Sequence, residues 1–274
     1  MTDVPTVTLN NGVEIPQLGF GVFQIKPDDA RDTVLSALEV GYRHIDTAQM
    51  YRNEKQVGEA VRDSGIDRSE IFVTSKLNNG VHTAEETLEA FETSLDTLGF
   101  DYLDLFLVHW PMPETRNYVE VWRAFEDIYR SGRARAIGVS NFTEHHLRRL
   151  HTETTVVPAV NQVELHPYLA QDALRAFDSE HGIATEAWSP IGQGTVLGDP
   201  VLVRVASEHD RTPAQVVLRW HLQRGDIVFP KSVTRARIEE NFALFDFELS
   251  AEDMAAVSAL DKGGRIGPHP EDVN

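Results

Sequence analysis

The chain has 274 residues, which suits one large α/β domain or two small ones and is ample for a sizeable hydrophobic core. Its formal net charge of −18 argues against binding to nucleic acid or to an anionic membrane, because both partners require a basic face. The chain has no cysteine, which excludes disulfides, thiolate zinc sites and cysteine nucleophiles.

The sequence predicts neither a targeting segment nor a metal site. The N-terminal sequence MTDVPTVTLNNG has no basic segment and no apolar stretch, so it does not resemble a signal peptide. No run approaches the roughly 18 apolar residues that a membrane span needs. The 11 histidines do not fall into a metal-binding spacing such as His-Glu-x-x-His. We expect a cytoplasmic protein without a membrane, nucleic-acid or metal partner.

The first predicted element is a β-hairpin, in which residues 7–9 and 13–15 flank an Asn-Asn-Gly turn. Strand-like runs follow at residues 17–21, 43–46, 71–76, 103–109, 134–140, 159–163, 184–188 and 227–230. Helix-like segments alternate with them at residues 28–40, 53–64, 83–98, 117–131, 143–151, 170–181 and 212–224. An additional helix is predicted at 199–209, and further helices fit residues 235–242 and 250–260.

The alternation of strands and helices predicts the fold. It favours an α/β protein with a closed (β/α)₈ TIM barrel, preceded by the N-terminal β-hairpin and carrying two extra helices. A doubly wound open sheet is the alternative, but no Gly-x-Gly-x-x-Gly motif follows the first strand to support it. No linker or repeat is visible, so residues 1–274 are expected to form a single domain.

Four ionisable residues are expected to meet at one end of the barrel, because active sites in this fold lie at the carboxyl ends of the strands. Asp46, Lys76 and His109 end the second, third and fourth predicted strands, and Tyr51 lies in the loop after the second. These residue types suit the reduction of a carbonyl group, whose oxygen must receive a proton. The phenol of Tyr51 can donate it, Lys76 can lower the phenol's pKa, Asp46 can balance the lysine, and His109 can orient the substrate oxygen.

Five sequence stretches resemble those of a known enzyme family. They are GYRHIDTAQMYRNEKQVG at 41–58, LDLFLVHWP at 103–111, GVSNF at 138–142, NQVELHPY at 161–168 and VFPKSVTRARIEENF at 228–242. In order and spacing they resemble the aldo-keto reductases, and among these the short bacterial members similar to 2,5-diketo-D-gluconate reductase. The resemblance implies a catalytic tetrad of Asp46, Tyr51, Lys76 and His109, with Tyr51 as the general acid.

The resemblance also implies that NADPH is the cofactor. Ser140, Asn141 and Gln162 would then hydrogen-bond the carboxamide, and Trp188 would stack on the nicotinamide. The loop from Ser189 would wrap the pyrophosphate, with Ser189, Ile191 and Gln193 nearest to it. At the far end, Lys231, Ser232 and Arg237 would hold the 2′-phosphate, a group for which an acidic chain needs a local basic cluster. Val233 and Thr234 would add backbone contacts, and Glu240 and Asn241 match the positions that hold adenine.

The sequence departs from the family pattern around the substrate pocket. Asn78 stands where relatives often have tryptophan, and the segment after Pro111 and the tail after Leu260 are short. The pocket is therefore expected to be open and polar. Its predicted lining is Phe23, Met50, Asn78, His109 and Trp110.

The predicted function is NADPH-dependent reduction of aldehydes or ketones to alcohols, with small dicarbonyls or keto-sugars as substrates, by a monomeric enzyme. One alternative is an NADPH-binding regulatory subunit of the same fold, similar to the β-subunits of potassium channels. Another is a barrel that only binds sugars or other metabolites. The four tetrad residue types favour the enzyme over both alternatives.

Overall fold

The computed structural model describes residues 4–274, so the first three residues of the predicted domain lie outside it. The N-terminal hairpin is present as predicted. Its strands β1 (Thr6–Thr8) and β2 (Glu14–Pro16) run antiparallel, with Val7 opposite Ile15.

Parallel strands form the centre of the molecule. They are β3 (Phe20–Gly21), β4 (His44–Asp46), β5 (Phe72–Leu77), β6 (Leu103–Val108), β7 (Ala134–Ser140), β8 (Val160–Glu164), β9 (Ala184–Trp188) and β10 (Ile227–Val228), each beside the next in chain order. A parallel bridge between Leu18 and Val228 joins the two ends of this sheet. The backbone N–H of Gly19 donates to the carbonyl oxygen of Val228 at 2.7 Å, and the sheet thereby closes into the predicted barrel.

The helices also agree with the prediction, with ends that differ by two residues at most. They are α1 (Pro27–Val40), α2 (Glu54–Asp63), α3 (Ala84–Leu98), α4 (Tyr118–Arg130), α5 (Glu144–Glu153), α6 (Asp172–Glu180), α7 (Pro200–Glu208), α8 (Pro213–Gln223), α9 (Arg235–Phe242) and α10 (Ala251–Ser258). Capping boxes begin α3, α8 and α10. The side chains of Thr83, Thr212 and Ser250 each accept a hydrogen bond from the backbone N–H of the third helical residue, and their own backbone N–H groups donate to that residue's side chain.

The first and last barrel strands are shorter than predicted. Of residues 17–21 only Phe20 and Gly21 form β3, and of residues 227–230 only Ile227 and Val228 form β10. Pro230 has no backbone N–H to continue the ladder, and the chain turns there into the loop beside the barrel mouth. Similarly β6 ends at Val108, so that His109 lies one residue beyond it.

The barrel interior is apolar at one end and polar at the other. Toward the amino ends of the strands, Phe72 and Leu105 pack in one apolar cluster with Leu9 and Ile15 of the hairpin region, which close that end. Toward the carboxyl ends, the buried interior side chains are Asp46, Lys76, Gln162 and Glu186. The fold therefore places its polar interior at the end where barrel enzymes bind their substrates.

Candidate active site

A cavity of about 1140 Å³ opens at the carboxyl ends of the strands. It extends from the predicted tetrad to the loop and helix start at residues 229–241. Its lining includes these predicted residues: Phe23, Asp46, Met50, Tyr51, His109, Trp110, Ser140, Asn141, Gln162, Trp188, Ser189, Ile191, Gln193, Lys231, Ser232, Val233, Thr234, Arg237, Glu240 and Asn241. One continuous cavity thus brings together nearly all of the predicted site.

The predicted tetrad residues are in contact at the bottom of this cavity. The ammonium of Lys76 lies 2.6 Å from Oδ1 of Asp46 and 2.9 Å from the carbonyl oxygen of Thr47. It also donates to the phenol oxygen of Tyr51 at 3.4 Å. Lys76 is fully buried, and a buried ammonium needs a counter-ion and further hydrogen bonds of this kind to remain charged.

Local structure fixes the position of Tyr51. It ends a short 3₁₀ helix, Gln49–Tyr51, that directly follows β4. Gln49 anchors this helix, because its side-chain amide donates to the carbonyl oxygen of Ala90 and its oxygen accepts from the backbone N–H of Asn78. The buried Asn53 braces the next turn by donating to the carbonyl oxygens of Val22 and Ile25.

Two opposing effects act on the pKa of the Tyr51 phenol. Burial raises this pKa above its ordinary value, and Lys76 lowers it by a smaller amount. The predicted effect of the lysine is therefore present, but burial, which the sequence pattern does not reveal, decides the net direction. Burial lowers the pKa of Lys76, but Asp46 and Tyr51 outweigh this effect and raise it. Both side chains therefore keep their protons at neutral pH.

His109 is an uncharged imidazole beside the phenol. Its ring centroid lies 6.0 Å from that of Tyr51, in an edge-to-face arrangement. Burial first, and then the charges of Lys76 and Arg116, lower the pKa of His109 to about 3. At neutral pH this ring can hydrogen-bond a substrate oxygen but does not add a second positive charge to the site.

The residues expected at the nicotinamide form one hydrogen-bonded group. The indole N–H of Trp188 donates to Oδ1 of Asn141 at 2.8 Å, and the amide nitrogen of Asn141 donates to the carbonyl oxygen of His109 at 2.9 Å. The hydroxyl group of Ser140 donates to the backbone carbonyl oxygen of Gln162. Asn141 has a φ of 63°, a left-handed conformation that asparagine tolerates better than most residues. These contacts hold Asn141 and Trp188 at the cavity wall.

Glu186 belongs to the site but was not predicted. The amide nitrogen of Gln162 donates to Oδ2 of Asp46 at 2.9 Å and to Oε2 of Glu186 at 2.7 Å. Glu186 is fully buried in the middle of β9. A glutamate in the centre of a predicted barrel strand was the signal in the sequence, because such a position faces either the barrel interior or a packed helix.

The far end of the cavity is basic. Lys231 and Arg237 line it, and neither makes an ion pair with any of residues 4–274. Arg235, between them in sequence, instead pairs with Glu39 and Glu239. Two cations without carboxylate partners on one cavity wall give this end of the cavity a positive charge that suits an anion.

The polar loop after β9 and the end of α9 complete this part of the cavity. Ser189 and Gln193 have φ values of 49° and 51°, so the loop turns sharply around the cavity wall. Glu240 accepts a hydrogen bond from Thr212, and Asn241 is buried beside it. Glu240 therefore has a structural contact in addition to its place in the cavity.

The residues predicted for the substrate pocket lie in two places. Phe23 and Met50 are 49% and 44% exposed and line the cavity, which leaves apolar surface available there, and Trp110 also lines it. Asn78, however, is not among the residues that line the cavity. Its side-chain oxygen Oδ1 accepts from the backbone N–H of Gly80, as asparagine commonly does in turns. Its backbone carbonyl oxygen accepts from the guanidinium of Arg116.

The C-terminal tail reaches the cavity although it is short. Gly267 and Pro268 line the cavity. The buried carboxylate of Glu164 holds them there by accepting from the backbone N–H groups of Ile266 and Gly267, at 2.5 and 2.9 Å. The sequence did not reveal this contact, because it joins positions a hundred residues apart that carry no shared pattern.

The described residues contain no helix that is long and apolar enough to cross a membrane. Within residues 4–274 there is also no group of three or more histidine, aspartate or glutamate side chains arranged to hold a metal ion.

Comparison with known proteins identifies the family. The model of the aldo/keto reductase family matches residues 17–262. An aldo-keto reductase of Mycobacterium sp. (strain KMS) is 53% identical over 98% of each chain. Glyoxal reductase of Bacillus subtilis (strain 168) is 49% identical over 98% of this chain and 97% of its own.

A solved structure agrees with these sequence relatives. A mutant of Gox0644, crystallised in complex with NADPH, superposes with a TM-score of 0.96 at 45% identity, over 99% of each chain. The chain described here belongs to the aldo/keto reductase family and is an oxidoreductase of that family.

Proposed function

We propose that this protein reduces aldehydes and ketones to alcohols with NADPH, and that small dicarbonyls are its preferred substrates. The observation that carries the proposal is the contact between Tyr51, Lys76 and Asp46 at the bottom of a large cavity, with neutral His109 beside the phenol. This arrangement offers a proton to a carbonyl oxygen, which is what carbonyl reduction requires from the protein.

The residues of the cavity fit NADPH. The cations of Lys231 and Arg237 lack protein carboxylate partners within residues 4–274 and suit a phosphate group, with Ser232 as an additional hydrogen-bond donor. The polar groups of Ser140, Asn141 and Gln162 suit a carboxamide, and Trp188 provides an aromatic face beside them. When bound there, NADPH supplies the hydride that is added to the carbonyl carbon.

Further contacts are proposed for the middle of the cofactor and for its adenine end. Ser189, Ile191 and Gln193 would surround the pyrophosphate, since their loop turns around the cavity wall. Val233 and Thr234 would contribute backbone contacts next to the basic cluster. Glu240 and Asn241 would hold the adenine, although Glu240 also accepts a hydrogen bond from Thr212.

In this proposal two side chains, Tyr51 and His109, act on the substrate oxygen, and Lys76 and Asp46 support them. Tyr51 donates its proton to the oxygen as negative charge develops there, and the phenol keeps that proton until needed because burial raises its pKa. Lys76 lies 3.4 Å from the phenol oxygen and stabilises the phenolate that remains. His109, as a neutral imidazole, orients the substrate oxygen toward Tyr51. Asp46 keeps Lys76 charged and in place.

A small polar substrate is favoured by the shape and surroundings of the catalytic end. Phe23, Met50 and Trp110 offer apolar surface only at the mouth, whereas the bottom of the cavity carries ionisable and amide groups. A relative that shares 49% of its residues is named a glyoxal reductase, and glyoxal is a small dicarbonyl. Keto-sugars are the next candidates, because they too carry polar groups beside the carbonyl.

The proposal is tested by following NADPH oxidation with glyoxal or methylglyoxal and by measuring the alcohol formed. We expect one alcohol for each NADPH consumed, and no consumption without the carbonyl compound. Binding of NADPH without carbonyl-dependent oxidation would contradict the proposal and favour a cofactor-sensing subunit. We also infer that the enzyme is a cytoplasmic monomer of one domain, which light scattering and fractionation would check.

A further inference from the structure

Glu186 occupies the interior of the barrel directly behind the tetrad. It lies in the middle of β9, level with Gln162 of β8 and Ile227 of β10, and none of its surface is exposed. Its Oε2 accepts from the amide nitrogen of Gln162 at 2.7 Å, while its Oε1 is buried without a partner in residues 4–274. Such a costly burial of a carboxyl group calls for a functional explanation.

The amide of Gln162 is held between two carboxyl groups. One N–H of its nitrogen points to Glu186 on the neighbouring strand, and the other points to Asp46 at 2.9 Å. Because β4 and β8 lie on opposite sides of the barrel, the bond to Asp46 crosses the interior. Both N–H groups of the side-chain amide are thereby used, and its side-chain oxygen Oε1 is left without a hydrogen-bond partner in the described chain.

The orientation of this amide matters at the cavity wall. Without acceptors on both sides, a glutamine amide can present either its nitrogen or its oxygen to a ligand, whereas here the nitrogen is committed to Asp46 and Glu186. Gln162 lines the cavity beside Asn141 and Ser140. A ligand group that contacts it must therefore donate a hydrogen bond, as the N–H₂ of a carboxamide does.

We propose that Glu186 is a positioning residue that fixes the amide of Gln162 so that its oxygen accepts from the carboxamide of the cofactor. The inference rests on the proposed function in that it takes NADPH as the ligand of this cavity. Glu186 has no direct contact with substrate or cofactor in this role. It acts through Gln162, and through Gln162 it is joined to the ion pair of Asp46 and Lys76.

The protonation state of Glu186 depends on its burial and on the charged groups around it. The charged groups that act on it are Asp46 of β4 and Lys76 of β5, while β8 contributes the amide of Gln162 and β10 the apolar Ile227. Burial first, and then the charge of Asp46, raise the pKa of Glu186 to about 8. At neutral pH the group is thus a neutral acid. Above pH 8 it becomes a second anion that competes with Asp46 for Lys76 and Gln162.

Two variants of Glu186 test the role of the acceptor. Glu186→Gln keeps an uncharged acceptor for Gln162, and Glu186→Leu removes it. At neutral pH, fluorescence titration should give an NADPH dissociation constant for Glu186→Gln within about threefold of wild type, and one about tenfold weaker for Glu186→Leu, as expected for the loss of one hydrogen bond. Wild-type affinity in Glu186→Leu would overturn the proposal.

The pH dependence of kcat/KM is a second test, because a merely structural residue would not change it. This test needs only Glu186→Gln, so it remains possible if Glu186→Leu does not fold. Wild-type kcat/KM with a dicarbonyl should fall as pH rises through about 8, and the fall should be absent in Glu186→Gln. Asp178→Asn is the matched control, because Asp178 is a buried carboxyl group whose pKa burial raises to about 7, and it contacts Thr185 and Asn161 rather than the cavity. Its profile should follow that of wild type.

Superimposed profiles of wild type and Glu186→Gln would overturn the inference even where the enzyme reduces dicarbonyls normally. If the wild type does not reduce carbonyls, the proposed function fails, but the binding titrations still decide the role of Glu186 toward the cofactor.

Discussion

Two opposing effects act on the ionisation of the Tyr51 phenol. Burial favours its neutral phenol, and the ammonium of Lys76 at 3.4 Å favours the phenolate. The balance leaves the proton on the phenol before the reaction, while the ammonium is in position to stabilise the anion formed as the proton leaves. Neutral His109 does not disturb this balance, because its pKa of about 3 keeps it uncharged. These are the properties expected of a general acid at neutral pH.

Arg237 and Arg235 differ in role although they lie on the same short helix. Arg237 lines the cavity, whereas Arg235 pairs with Glu39 and Glu239 outside it. We predict that Arg237→Ala weakens NADPH binding by about 1.5–3 kcal/mol, the range for a hydrogen bond to a charged group. NADH binding should hardly change, because NADH has no 2′-phosphate.

Fluorescence titrations with both cofactors check this prediction, with Arg235→Ala as the control that should leave NADPH affinity unchanged. Equal losses of NADPH and NADH affinity in Arg237→Ala would refute a role at the 2′-phosphate.

At the residue level, the sequence predicted which residues lie near the cavity better than it predicted where their side chains point. The positions of Asp46, Lys76 and His109 followed from strand ends, because the carboxyl ends of parallel barrel strands meet on one rim. The side chain of Asn78 could not be placed in this way, because a local hydrogen bond to Gly80 decides its rotamer. Glu186 was missed for a related reason, since strand alternation does not show which buried side chains touch across a barrel.

The C-terminal tail is the element whose role the sequence predicted least well. Its contact with the cavity depends on the carboxylate of Glu164 and on the absence of a side chain at Gly267. A Cβ atom at Gly267 would lie 2.6 Å from Cη2 of Trp188 and 3.0 Å from Oε2 of Glu164. Either the tail or the indole would have to move to accept it.

We therefore predict that Gly267→Ala weakens NADPH binding by about 1 kcal/mol or more, the usual scale for overpacking a tight contact. Gly264→Ala is the control on the same tail, because its Cβ would make only ordinary contacts of 3.4 Å. Isothermal titration of both variants with NADPH decides the matter. Indistinguishable affinities would show that the tail does not constrain Trp188 in the bound state.

The barrel elements themselves were predictable, because each has a strong local signal. Helices α3, α8 and α10 begin with capping boxes that can be read from the sequence, and their predicted ends were close. Strands β3 and β10 were predicted too long, since apolar runs do not reveal where two neighbouring strands separate. That separation is functionally important, because the loops that leave these strands carry Phe23 and Lys231 to the cavity.

For the whole molecule, the excess of acidic residues and a buried histidine have opposite effects on stability as the pH falls. The net charge of −18 becomes less negative on acidification, which reduces repulsion at the surface. His44 acts in the opposite direction. It is fully buried, and burial lowers its pKa to about 3. The hydrogen bond to the backbone oxygen of Pro16 opposes this shift, and the charge of Lys76 adds to it.

The stabilising contribution of neutral His44 is complete above pH 6.5, the ordinary pKa of the unfolded chain, and is lost progressively as pH falls toward 3. We predict that the free energy of unfolding, measured with urea, declines between pH 7 and pH 5. In His44→Gln the decline should be smaller by about 2 kcal/mol. This value follows because, between pH 6.5 and pH 5, the histidine takes up a proton in the unfolded chain but not in the folded protein. Equal declines in both proteins would show that His44 is protonated in the folded state.

The central claim is that Tyr51 gives its proton to the carbonyl oxygen, and Tyr51→Phe tests it most directly. The variant keeps the ring that packs on Phe23 and removes only the hydroxyl group. Single-turnover reduction of a dicarbonyl, with NADPH binding titrated in the same samples, should show a rate at least about 100-fold below wild type and an unchanged dissociation constant. A rate near that of wild type in a folded, NADPH-binding Tyr51→Phe enzyme would contradict the mechanism.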